Sequence, residues 1–166
     1  MSSISDGFDE LEENILIVQT NIATLYELLG RAEALRMRRD VYSRTVRLHG
    51  EEHEHTLAEA FNFAATLFDL KRHREVKALM RKMIPVARRI FGEGRDLTLR
   101  MEMINARALY ADDGATLDDV HEAMTTLEDT ERTARRVMGG AHPLVAEIGV
   151  ALQGARAALR RRETSV

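Results

Sequence analysis

Cysteine is absent from this sequence, which excludes a disulfide framework, a thiolate metal site and a cysteine nucleophile. Tryptophan is absent as well, and aromatic residues make up only 5% of the chain, a poor composition for β-sheet. Only Pro85 and Pro143 stand in the way of long helices. No apolar run approaches the roughly 20 residues that a membrane-spanning helix needs. The opening MSSISDGFDELEEN is acidic where a secretory signal would be basic and then apolar. A soluble, cytoplasmic chain with no membrane partner is the expectation.

What is present favours helix. Hydrophobic residues account for 45% of the 166 positions and charged ones for 31%, with Ala, Leu, Arg and Glu prominent. The length suits one domain or one short repeat array. The net charge of -3 is unevenly spread. Asp6 to Glu27 carries only acidic charges and Arg31 to Arg47 mostly basic ones, the pattern of solvated helix faces.

One stretch organises the rest. RLHGEEHEHTL (47–57) returns as RIFGEGRDLTL (89–99) and RVMGGAHPLVA (136–146), each time an arginine, an apolar residue, one further residue, a glycine and then a helix start. The glycines Gly50, Gly92 and Gly139 fall 42 and 47 residues apart, the spacing of a stacked helical repeat.

Seven helices can be read between these marks. The first is expected from near Phe8, capped by Asp6, to Leu29, burying Leu11, Ile15, Val18, Ile22, Leu25 and Leu29, with Gly30 ending it. The second follows from Arg31 to Gly50 and buries Leu35, Val41, Tyr42, Val46 and Leu48, folding back on the first as a hairpin. Thr56 and Glu59 form a T-x-x-E capping box for the third, whose buried stripe is Leu57, Ala60, Phe61, Ala64, Leu67 and Phe68. The fourth begins near Arg72 with Val76, Leu79, Met80, Met83, Ile84, Ala87, Ile90 and Phe91 on one face. Pro85 predicts a kink in it, costing about 3 kcal/mol if nothing offsets the lost bond. The fifth spans roughly Leu97 to Ala111. The sixth starts from a Thr116 to Asp119 capping box and buries Leu117, Val120, Met124, Leu127, Ala134 and Val137. Pro143 opens the seventh, which buries Leu144, Ile148, Leu152, Ala155 and Leu159 and ends in Arg160 to Arg162 at the negative end of its dipole. With no helix after it to pair with, the seventh should cap the stack.

The run NIATLYELLGRAEA (21–34) resembles the first-helix, turn and second-helix pattern of tetratricopeptide repeats of the kinesin light chain type. AATLFDLKRHREV (64–76) is similar, with Lys71 in place of the glycine, and NARALYADDG (105–114) repeats it again. The family's connection between units resembles L-G-x-x-H-P-x-T-L. Gly50, His53, Thr56 and Leu57 match one copy, Gly92, Thr98 and Leu99 a second, and Gly139, His142 and Pro143 a third. The resemblance implies an all-α, right-handed superhelical array of antiparallel helix hairpins with units near 8–50, 51–92 and 93–139 and a capping helix at 142–162. It also implies a concave groove that binds a peptide segment of a partner protein. Asparagines on that groove face would hold a peptide backbone. The matching positions are Asn21 and Asn105, with Asn62 beside Phe63 in the second unit and Arg107 following on the fifth helix. The plainer alternative for all four is an ordinary polar helix face.

Sharper chemistry is weaker. HGEEH at His49 to His53 fits the H-x-x-E-H pattern of one zinc peptidase class, but Gly50 interrupts the continuous helix that pattern requires. His49, His53 and His55 could bind metal adventitiously. No phosphate-binding glycine loop or nucleophile elbow is present, so neither catalysis nor a cofactor is expected. The clusters RMRR, KRHR and RRR lack a basic overall balance or interleaved aromatics, so no nucleic-acid partner is expected. The sequence thus reads as a non-enzymatic scaffold for a protein or peptide ligand. Self-assembly through an apolar end of the array is the alternative.

Overall fold

The glycines that mark the recurring stretch share one backbone geometry. Gly50, Gly92 and Gly139 have φ of 80°, 83° and 85°, a region that residues with a Cβ seldom occupy. Each donates its N–H to the carbonyl four residues earlier: Val46 at 2.9 Å, Arg88 at 2.9 Å and Arg135 at 3.1 Å. The next helix begins four residues later in every case, at Glu54, Asp96 and Pro143.

This comes from a computed structural model that describes the backbone of residues 4–29 and 31–164 and the side chains of 10–22 and 33–164. Among the described residues the chain is all-α, with seven helices and no strand: α1 (Ile4–Leu29), α2 (Arg31–His49), α3 (Glu54–Asp69), α4 (His73–Phe91), α5 (Asp96–Ala111), α6 (Leu117–Met138) and α7 (Pro143–Glu163). No described helix is long and apolar enough to cross a membrane. The chain forms two compact units, 1–66 and 67–166.

In the first unit α1 packs against α2. Ala34, Val41, Leu57, Ala60 and Ala64 are fully buried, and Tyr42 stacks on Phe63 with centroids 5.9 Å apart. The stripe expected on α1 is wrong. Leu11, Ile15, Val18 and Ile22 are exposed, and Leu16 is the residue buried at 6% exposure. Leu16, Ile17 and Val18 are consecutive, so the apolar pattern supports more than one face and does not choose between them. α1 also starts at Ile4, which places Asp6 within the helix rather than ahead of it. Gly30 and the side chains of Leu25 and Leu29 lie outside the described residues.

The capping box expected at Thr56 is likewise absent, because α3 begins two residues earlier, at Glu54. The Thr56 hydroxyl instead donates to the Gly50 carbonyl at 2.6 Å. His53 serves α3 instead, its Nδ1 accepting from the His55 N–H at 3.2 Å. His142 repeats this ahead of α7, accepting from the Leu144 N–H at 3.2 Å.

In the second unit α5 packs on α4, α6 and α7, and α6 on α7. Its core includes Leu99, Leu127, Leu144 and Ile148, all at 0% exposure. Each such side chain contributes about 1.5–3 kcal/mol relative to an exposed one. Ile90, Leu117 and Val137, expected to be buried, are exposed. Each belongs to the first or last turns of its helix, where a helical stripe has run past its neighbour. α4 continues unbroken through Pro85, which is exposed. The capping box of α6 forms as expected, Thr116 Oγ1 accepting from the Asp119 N–H at 3.1 Å and Asp119 Oδ2 from the Thr116 N–H at 2.8 Å. Bonds donated to its carboxylate by the Thr116 N–H and by the Thr116 hydroxyl, each at 2.8 Å, hold the Asp119 pKa below the usual carboxylate range.

The turn at 67–72 has the bond pattern of a Schellman motif. Arg72 N–H donates to the Leu67 carbonyl and Lys71 N–H to the Phe68 carbonyl, both at 2.9 Å. Lys71 sits at φ 59°, the one non-glycine among the described residues with positive φ. At the far end Arg162 donates to the carbonyl of Ala115 at 3.1 Å and to that of Asp112 at 3.3 Å, tying α7 to the α5–α6 loop.

Candidate functional site

Glu59, on α3, gathers the polar groups of the first unit. Its Oε1 accepts from the Thr20 hydroxyl and from Asn62 Nδ2, each at 3.3 Å. Its Oε2 lies 3.9 Å from the buried Arg38 guanidinium. Beside it opens a pocket of about 220 Å³ lined by residues of all three helices, among them Leu16, Thr20, Asn21, Thr45 and Ala58. Leu16, Ile17 and Ala58 supply its aliphatic lining, and the other seven lining residues are polar or charged.

Glu13, His49 and His55 line the same pocket. His55 Nδ1 lies 3.5 Å from Glu13 Oε1. The His53 ring stacks on His49 with centroids 4.4 Å apart, and His55 stands edge-on to both, at 5.6 Å from His49 and 5.0 Å from His53. Desolvation first, then the neighbouring imidazoles of His49 and His55, push the His53 pKa down, against the opposing pull of Glu13 and Glu54. A neutral His53 suits its task, since only an unprotonated Nδ1 can accept the His55 N–H.

The H-x-x-E-H reading fails on geometry. α2 ends at His49, and Gly50 at φ 80° turns the chain before His53, so the motif does not lie on one helix.

Of the four residues expected to bind a peptide, Asn21 is exposed and lines the pocket, while Asn62 is half-buried and bonded to Glu59. Asn21 and Glu59 thus line one pocket, and Asn62 reaches it only through its bond to Glu59. In the second unit Asn105 is half-buried on α5. Arg107 lies over the Phe68 ring, 4.4 Å from its centroid, and hydrogen-bonds the Tyr110 side chain. Burial raises the Tyr110 pKa, against that bond. Arg107 also lines a second pocket, with Met103, Tyr110, Glu147 and Val150. Sequence reasoning missed Glu13, Thr20 and Glu59 as site residues. No spacing rule joins Glu13 to histidines that lie more than thirty residues further along the chain.

Models of known protein families give no match to this chain, and no curated protein matches it.

Proposed function

We propose that this chain is a protein-interaction scaffold of the tetratricopeptide type, docking a peptide segment of a partner protein on the faces of its first helices. One observation carries the reading. The three glycine connections, read from sequence as copies of one unit, have the same φ to within 5°, the same backbone bond and the same distance to the next helix. Lys71 adds to it, since it holds a left-handed conformation where the resembling motif has glycine. The pocket beside Asn21 and Glu59 offers a peptide an apolar seat and polar anchors, and affinity in such sites comes from a few anchors rather than from area.

The experiment is capture by the full chain, then truncation of a captured partner to the shortest segment that still binds. A short segment is expected to suffice, and N21R is expected to weaken it at least about tenfold, a loss of about 1.4 kcal/mol. Undiminished binding of every partner by both N21R and N62R would overturn the reading.

Self-assembly is a second reading, favoured by the exposed apolar residues of α1: Leu11, Ile17 and Val18 are each more than half exposed. Light scattering over a range of concentrations separates the two, a strict monomer excluding self-assembly.

A further inference from the structure

We infer that Glu13, His49 and His55 form a binding site for a divalent first-row transition-metal ion, zinc being the ion that this ligand set fits best. The inference is independent of the scaffold reading, since it rests on three side chains that line the pocket and not on what the helices dock.

Geometry comes first. One ligand atom from each residue, two imidazole nitrogens and a carboxylate oxygen, can be chosen so that all three lie within 4.8 Å of one another. In a tetrahedral site with bonds of about 2.0–2.1 Å, neighbouring ligand atoms are about 3.3–3.4 Å apart. His55 Nδ1 and Glu13 Oε1, at 3.5 Å, already stand at that separation. The remaining closure is within reach of rotamer changes, because Glu13 and His55 are 42% and 56% exposed at the side chain and His49 closes the last turn of α2.

The ligand types agree. Two imidazoles and one carboxylate make a borderline set suited to zinc, copper or nickel, and not to magnesium or calcium, which take oxygen ligands. Three protein ligands leave a fourth position open, and the same three residues line the pocket, so that position is served by solvent or by a group bound there.

The surroundings hold the ligands in place. His53 Nδ1 accepts the His55 backbone N–H at 3.2 Å, which fixes the start of α3, and its ring stacks on His49. The ligands come from α1, from the end of α2 and from the start of α3, so the ion would clasp all three helices of the unit. A plain Glu13–His55 ion pair would explain the 3.5 Å contact but not the convergence of His49 on the same point.

The test uses the full chain stripped with a chelator and titrated with Co²⁺, whose visible bands report coordination by nitrogen and oxygen, followed by competition with Zn²⁺. One equivalent of each ion per chain is expected. Glu13→Gln, His49→Ala and His55→Ala are each expected to weaken binding at least about tenfold, the lower end of the loss seen even for outer-sphere partners. His121→Ala, on the exposed face of α6, is expected to change nothing. Glu13→Gln serves where a histidine variant fails to fold, since it is isosteric and the Glu13 side chain is only half-buried. Weak multi-site uptake that none of the three substitutions alters would overturn the inference, as would saturable binding that Glu13→Gln leaves intact.

Discussion

The Thr56 hydroxyl donates to the Gly50 carbonyl at 2.6 Å, closing the first glycine connection on itself. Thr98 holds the same place, six residues past Gly92, and is also fully buried, yet its hydroxyl has no hydrogen-bond partner among the described residues. In the third connection the place belongs to Val145, 2% exposed. A buried hydroxyl is worth keeping only where it is bonded. Thr56→Val is therefore expected to cost about 0.5–1.5 kcal/mol, and Thr98→Val to be neutral or stabilising by up to about 1 kcal/mol. Urea denaturation midpoints of the two variants check the contrast, and equal losses would refute it.

Lys71 occupies φ 59° in a turn whose two backbone bonds are those of a helix stop normally built on glycine. A residue with a Cβ held in that region costs about 1–2 kcal/mol. The Lys71 side chain is exposed and is not needed for packing. Lys71→Gly is expected to raise stability by about 1 kcal/mol, less the added freedom glycine gives the unfolded chain. Thermal unfolding followed by circular dichroism measures it, and a lowered midpoint would show that Lys71 contributes through its side chain.

Much of the fold was legible because helix ends are written in few residues. The glycine connections, the Thr116 cap and Pro143 each require one residue type at one place, and the structure has them there. What was not legible depends on partners distant in sequence. Thr56 and Glu59 have the spacing of a capping box, but Glu59 is engaged by Thr20 from α1 and by Asn62. The apolar residues of α1 fit two faces, and only packing against α2 selects Leu16. Arg162 reads as a solvated cation at a helix end, and it instead satisfies carbonyls of a loop nearly fifty residues earlier. The site shows the same division. Its histidines were visible as a cluster, whereas Glu13 enters only through the fold.

Gly154 of α7 faces Tyr110 of α5. A Cβ on Gly154 would lie 2.7 Å from Tyr110 Oη and 3.2 Å from Cζ, whereas one on Gly149 in the same helix would meet nothing within 4 Å. Alanine is favoured over glycine in a helix by about 0.8–1.0 kcal/mol. Gly149→Ala is expected to gain about that much. Gly154→Ala is expected to lose about 1 kcal/mol net, since crowding a filled contact costs about 1–3 kcal/mol. In a Tyr110→Phe background, which removes the nearest atom, the loss should shrink. A double-mutant cycle measures this, and additivity of the two changes would sink the steric account.

The second unit should lose stability in acid in two stages. His73 lies at the start of α4 with its ring 5.0 Å from that of Phe68 and its Nδ1 buried without a hydrogen-bond partner among the described residues. Burial pushes its pKa below the ordinary 6.5, outweighing the pull of Asp112 and Asp113, with Lys77 and Lys71 adding to the depression. The unfolded chain therefore binds the proton more readily, so this contribution is complete above about 6.5 and is lost as pH falls from there toward the folded value. Asp112 behaves alike at lower pH. Bonds from Lys77 at 2.9 Å and from the Gly114 N–H at 3.1 Å hold its pKa below the ordinary 3.8. Its stabilisation is full above about 3.8 and fades as pH falls through the depressed folded value. Urea midpoints measured against pH should fall in these two windows. His73→Gln should flatten the upper stage and leave the lower one, while Asp112→Asn should shrink the lower stage, which Asp119 shares, and deepen the upper one by removing its pull on His73. A stability that rises on acidification from neutral would contradict both assignments.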